Sequence, residues 1–144
     1  MPELTLTVTR LIPAPPAQVY DAWLDPRMLA RFMRPAEGVS VPEATAEARV
    51  GGRFRIVMRV GDKDLPHEGT YLELKPHDHI RFTWKSAHSV AGSEVKLAFT
   101  PAEGGTFVML THVKFASDDA RQNHEAGWGR ILAELGAAFS AARA

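Results

Sequence analysis

No cysteine occurs in the 144-residue chain. Disulfide staples, thiol catalysis and cysteine-ligated zinc are therefore excluded. No excess of either charge exists: 17 basic residues balance 17 acidic ones. A nucleic-acid binder needs a basic excess to neutralise phosphates, so no nucleic-acid partner is expected. No stretch approaches the ~20 consecutive apolar residues of a membrane-spanning helix. The start, MPELTLTVTRLI, lacks the basic opening and apolar run of a signal peptide. A cytoplasmic, reducing setting is the simplest expectation. Also absent are GxSxG, the P-loop and the dinucleotide fingerprint, so no cofactor is expected. The chain does have the length and apolar content of one globular domain, taken as residues 1–144.

Leu4, Leu6 and Val8 alternate with Thr5, Thr7 and Thr9, the period of a strand with one buried face. Pro13, Pro15 and Pro16 end it. Pro16 suits the first position of a short helix carrying Val19, Tyr20, Trp23 and Leu24. Asp25-Pro26 reads as a cap and first residue of a second, with Met28, Leu29 and Phe32. From Val39 to Phe115 turn residues recur at 50–52, 61–64, 76–78, 91–93 and 103–105. Between them Phe54, Ile56 and Met58 alternate with arginines, Ile80, Phe82 and Trp84 with polar residues, and Val95, Leu97 and Phe99 likewise. Antiparallel strands with one wet face follow. FVMLTHVKF at 107–115 is apolar on both parities and is expected to be covered on both sides. Tyr71 and Glu73 share a parity opposite Leu72 and Leu74, which places the two leucines in the core.

Ser117-Asp118-Asp119 caps a long helix. His124, Trp128, Ile131, Leu132, Leu135, Phe139 and Ala142 form its apolar stripe, and Arg143 complements its negative end. This helix contains Gly127, Gly129 and Gly136, although glycine costs about 1 kcal/mol against alanine in a helix interior. Gly129 and Gly136, two turns apart, are expected to border the stripe and either let the backbone approach a strand closely or leave room beside Trp128. The fold class is thus α+β: an antiparallel sheet of about six or seven strands, two short helices, and a long C-terminal helix packed across it.

In order and spacing, RLIPAPPAQVYDAWLDP (10–26), RVGGRFRI (49–56), EGTYLELKPHDHIRFTW (68–84), SEVKLAF (93–99), GGTFVMLTHVKF (104–115) and GWGRILAEL (127–135) resemble the START-like (SRPBCC) helix-grip superfamily. Within it they are most similar to the branch named for the activator of the heat-shock protein ninety ATPase. The resemblance implies a curved sheet gripping the last helix around an apolar cavity. Members bind lipids, hormones or polyketides, and some are cyclases. The co-chaperone for which the branch is named carries an extra N-terminal domain. This chain opens on the first strand, which argues against a chaperone partner.

A ligand site between sheet and helix would draw on Trp23, Phe32, Phe54, Met58, Trp84, Leu97, His112, His124, Trp128 and Leu132. His112 shares parity with Val108 and Leu110 and so faces inward, either to orient a ligand or as a core histidine satisfied by its neighbours. His124 lies one turn before Trp128, at the pocket mouth or exposed. The leading expectation is a binder of a small apolar or amphipathic molecule. The alternatives are a cyclase- or hydratase-like enzyme using a pocket histidine, and a chaperone-regulating interaction module. No catalytic residue is assigned. His77-Asp78-His79 falls at a turn where neighbours diverge, so no metal site is assigned. His67 and His88 read as loop or strand-edge residues. Arg49, Arg53, Arg55 and Arg59 read as a solvated sheet face. Phe107, Met109, Val113 and Phe115, if exposed, would allow a homodimer.

Overall fold

A computed structural model describes residues 4–86, 89–90 and 92–143. The expectations for His88, for Ala91 in the fourth turn, and for the side chains of Ala142 and Arg143 lie outside what it describes. The elements follow the predicted order: β1 (Thr5–Ile12), α1 (Pro16–Ala22), α2 (Pro26–Phe32), β2 (Ser40–Ala46), β3 (Arg53–Val60), β4 (Lys63–Lys75), β5 (His79–Thr83), β6 (Glu94–Ala102), β7 (Gly105–Val113) and α3 (Asp118–Arg143). Seven strands form one antiparallel sheet in the order β1-β7-β6-β5-β4-β3-β2. The chain leaves β1 at one edge and passes through α1 and α2 to the opposite edge. It then returns strand by strand, so that β7 closes on β1.

The helix starts are built as their residues require. Pro16 occupies the first turn of α1, where a missing N–H costs nothing. Asp25 caps α2, its carboxylate accepting from the Arg27 amide at 2.9 Å. Ser117 does the same for α3, accepting from the Ala120 amide at 3.1 Å. The buried stripe of α3 is Trp128, Ile131, Leu132 and Leu135, with Phe139 partly buried. It packs with β1 and α2. Phe54, Ile56, Met58, Ile80, Phe82, Val95, Leu97, Phe99, Val108 and Leu110 face it from the sheet, all buried.

Strand β4 is 13 residues long and belongs to both halves of the curl. Its register against β5 shifts between Tyr71 and Glu73. This bulge corrects the parity expected for the strand. An extra residue at Leu72 turns Tyr71 into the core, 2% exposed, while Glu73 stays outside. Tyr71 therefore packs against Phe54 and Phe82 rather than sharing a face with Glu73. Leu72 and Leu74 are half-buried.

A second correction concerns β7. Only one face is covered. Phe107 and Met109 are 38% and 42% exposed, and Leu11, opposite Phe107 on β1, is 48% exposed. Phe115 instead turns inward, because Lys114 adopts a left-handed conformation (φ 70°) that breaks the alternation. On the outer face the arginines are ion-paired: Arg55 with Glu43 and Glu68, Arg59 with Asp64, and Arg49 with Glu47. At the turn, the His77 ring packs edge-on against Tyr20 and the His79 ring bonds Glu73 at 2.9 Å. Among the described residues no group of three or more metal-ligating side chains converges, and no helix is long and apolar enough to cross a membrane.

The three helix glycines have different surroundings. Gly136 is buried, and a Cβ there would sit at ordinary contact distance from Arg10 and Ile12 of β1. Gly127 faces Pro35, whose Cβ would lie 3.2 Å from an added methyl. Gly129 faces neither layer: a Cβ there meets nothing within 4 Å. Gly129→Ala is therefore expected to stabilise the fold by about 0.8–1 kcal/mol through helix propensity alone. Thermal denaturation should show a rise of roughly 2–4 °C. A fall would mean that the glycine has a structural partner.

Candidate functional site

Three tryptophans gather where α3 crosses the sheet. Trp84, just past β5, and Trp128 of α3 have ring centroids 4.9 Å apart, and Trp23, at the end of α1, lies 6.5 Å from Trp128. All three are buried. Phe32 stacks edge-on against Trp23 at 4.9 Å. Leu97, Leu132 and Phe32 are fully enclosed, so the space below the middle of α3 is filled by side chains from both layers. A crevice of only about 10 Å³ remains among Trp23, Phe54, Tyr71 and Phe82.

Open volume lies instead at one end of the helix. A cleft of about 160 Å³ is bounded by Trp84, Trp128 and Ile131 at its base. Met58, His67 and Pro35 form one wall, and Asn123, His124 and Gly127 form the other. Of the residues expected from sequence, Met58, Trp84, His124 and Trp128 meet here. Trp23 and Phe54 border the small crevice, while Phe32, Leu97, Leu132 and His112 are in the packed interior. Pro35, His67, Asn123, Gly127 and Ile131 were not anticipated as site residues. His67 corrects its reading as a strand-edge or loop residue. It pairs with Ile56 across the β3–β4 hairpin, which puts its ring on the inner face, 5.1 Å from that of Trp84. Counting back from the Gly61-Asp62 turn would have found it. Two larger depressions, about 590 Å³ over the outer face at Arg55 and Glu68 and about 420 Å³ beside the Arg34–Glu134 pair, are lined by charged side chains as well as apolar ones and lie outside the grip.

His112 is 1% exposed, and both of its nitrogens are bonded. The Trp128 indole N–H donates to Nδ1 at 2.9 Å, and Nε2 lies 2.7 Å from the Ser93 hydroxyl. An indole nitrogen can only donate, so Nδ1 must offer a lone pair. The single proton of the neutral ring is then on Nε2 and points at Ser93 Oγ. Burial, and secondarily the nearby charge of His124, lowers the His112 pKa to about 3. A serine next to a histidine suggests a nucleophile and its base, but this tautomer is the wrong one: Nε2 already carries the proton it would have to accept. The ring ties β7 to α3 and to Ser93, the residue just before β6. Its satisfied state is the core-histidine alternative drawn from the sequence.

His124 is half-buried at the cleft rim, its ring 5.3 Å from that of His112 and 5.2 Å from Phe115. Its Nδ1 donates to the Ala120 carbonyl at 2.8 Å, so the neutral ring presents Nε2 as an acceptor. His67 Nδ1 is held in the same way by the Leu65 carbonyl at 3.0 Å.

A curled antiparallel sheet closed around a C-terminal helix, with its opening between them, defines a START-like helix-grip domain. The sequence pattern of the family described as "Activator of Hsp90 ATPase homolog 1-like protein" matches residues 13–140, and the chain belongs to that family. Among solved structures it is similar to a protein from Chromobacterium violaceum, at 28% identity and TM-score 0.84 over 92% of this chain and 94% of that one. It is also similar to an AHSA1-like protein from Aeromonas hydrophila, at 26% identity and TM-score 0.82 over 96% and 94%. An AHSA1 protein from Silicibacter pomeroyi matches at 26% identity and TM-score 0.81 over 95% and 98%. No curated protein matches the chain.

Proposed function

We propose that the protein binds a small, mainly apolar ring compound in the cleft at Trp84, Trp128 and Gly127. The observation that carries this reading is the cleft itself. It has aromatic and aliphatic walls, a few polar groups at its rim, and about 160 Å³ of space. That is the size that accepts a single six-membered ring, since an apolar cavity of about 150 Å³ takes up benzene. Longer lipids or polyketides would have to extend into solvent or displace α3. Affinity would come from burying apolar surface, at ~25 cal/mol per Å² before the costs of association.

Gly127 supplies the test, because any larger side chain there projects toward Pro35 across the opening. Backbone amide shifts should move around Asn123–Ile131 and Met58 when toluene is titrated. Gly127→Leu should weaken that response at least tenfold while leaving the fold intact. Toluene shifts scattered over the surface, or unchanged in the variant, would rule the cleft out as the binding site.

A further inference from the structure

The two edges of the sheet are finished differently. β2 carries Pro42, which has no N–H to offer, the charge of Glu43, and a register break between Ser40 and Glu43. Such features keep a sheet edge from pairing with another chain. β1 has no proline and no bulge: its eight residues run in unbroken register with β7. Its outer row, Thr7, Thr9 and Leu11, is uncharged and exposed. The one charge of the strand, Arg10, lies on the inner row beside Gly136 of α3.

The backbone of β1 fixes which groups are free. The Lys114 amide donates to the Leu4 carbonyl at 3.0 Å, in line with the β1–β7 register. Leu6, Val8, Arg10 and Ile12 therefore bond β7, and the N–H and C=O of Thr7, Thr9 and Leu11 point away from it. No described residue pairs on that side.

From this edge we infer that the chain forms a two-fold dimer in which β1 pairs antiparallel with β1 of a second copy, centred on Thr9. Thr9 then faces Thr9, and Thr7 faces Leu11 on either side, each pair exchanging both backbone bonds. Pro13 has no N–H and ends the ladder. Arg10 falls opposite Val8 rather than opposite itself, so no like charges face each other. Pairing β1 with β2 of a next molecule would build an open filament, and Pro42 and the bulge block it, whereas β1 against itself closes. The formal net charge is zero, so two copies meet without long-range repulsion. The contact runs along the edge and does not depend on the cleft.

Sedimentation equilibrium on the full chain should give twice the 15.8 kDa monomer mass, falling on dilution. The amides of Thr7, Thr9 and Leu11 should exchange with solvent more slowly as concentration rises, while those of Val8 and Arg10, held by β7, stay slow throughout. Thr9→Lys and Thr9→Glu each set like charges face to face at the centre and should weaken the dimer at least tenfold. Mixing the two variants should restore it, because opposite charges then meet. Thr9→Pro removes an N–H that β7 does not use and should also give a monomer, which covers a charged variant that folds poorly. A monomer at every concentration would leave the edge to a strand of another protein and overturn the dimer. A dimer indifferent to Thr9→Lys and Thr9→Pro, or no recovery on mixing, would overturn the pairing through β1.

Discussion

His112→Leu is expected to lower the unfolding free energy by about 4 kcal/mol at pH 7, read as a shift in the urea midpoint. The substitution orphans two buried groups at once, the Trp128 indole N–H and the Ser93 hydroxyl, each at roughly 1–3 kcal/mol. The pH dependence distinguishes this cause from simple loss of packing. In the folded protein the ring resists protonation down to about pH 3, whereas in the unfolded chain it titrates near 6.5. Above pH 6.5 both states hold a neutral ring, and the full stability is present. Between about 6.5 and 3 only the unfolded chain takes up the proton, so acid removes stability from the parent at up to about 1.4 kcal/mol per pH unit. The variant lacks this loss. The gap between the two proteins should therefore narrow as the pH falls to 5 and beyond. A gap that stayed constant from pH 7 to pH 5 would show that the ring is not kept neutral by the fold.

Gly69→Ala should be comparably damaging, at about 3 kcal/mol or more, with a correspondingly lower melting temperature. Gly69 lies on β4 where the sheet curls from the β2–β3 half toward β5. An added Cβ would fall 2.0 Å from the Thr83 carbonyl oxygen and 2.4 Å from the Phe54 ring. The oxygen belongs to backbone and cannot swing away. Phe54, opposite Gly69 in the register, occupies the place a side chain would take. The matched comparison is Gly129→Ala, the same chemical change with the opposite expected sign. Similar melting temperatures for the two variants would mean that the curl at Gly69 relaxes freely.

Most of the architecture was legible because its strands are regular where they are buried. Phe54, Ile56 and Met58, or Val95, Leu97 and Phe99, announce their face by period two, and the stripe of α3 by its helical spacing. Parity failed at Tyr71 because a bulge is set by how two strands align, which one strand's residues do not reveal. It failed again at Phe115 because a left-handed lysine is not marked by a glycine. The site was read only in part. Trp84, Trp128, Met58 and His124 were reached through their faces. The location of the free volume was not, because it depends on how completely Trp23, Phe32, Leu97 and Leu132 fill the middle. Three glycines in one helix looked like a single signal, yet their surroundings differ: Gly136 faces β1 with room for a methyl, Gly127 opens toward Pro35, and Gly129 has no neighbour to accommodate.

The knot of indoles also decides what light can tell an experimenter. Every tryptophan of the chain sits in it, with neighbouring rings 4.9 and 6.5 Å apart. Intrinsic emission is therefore a reporter of one junction, the seat of α3 on the curl, and is blind to fraying at the β2 edge. A fluorescence melt and a far-ultraviolet dichroism melt will superimpose only when the last helix detaches in the same step in which the strands separate.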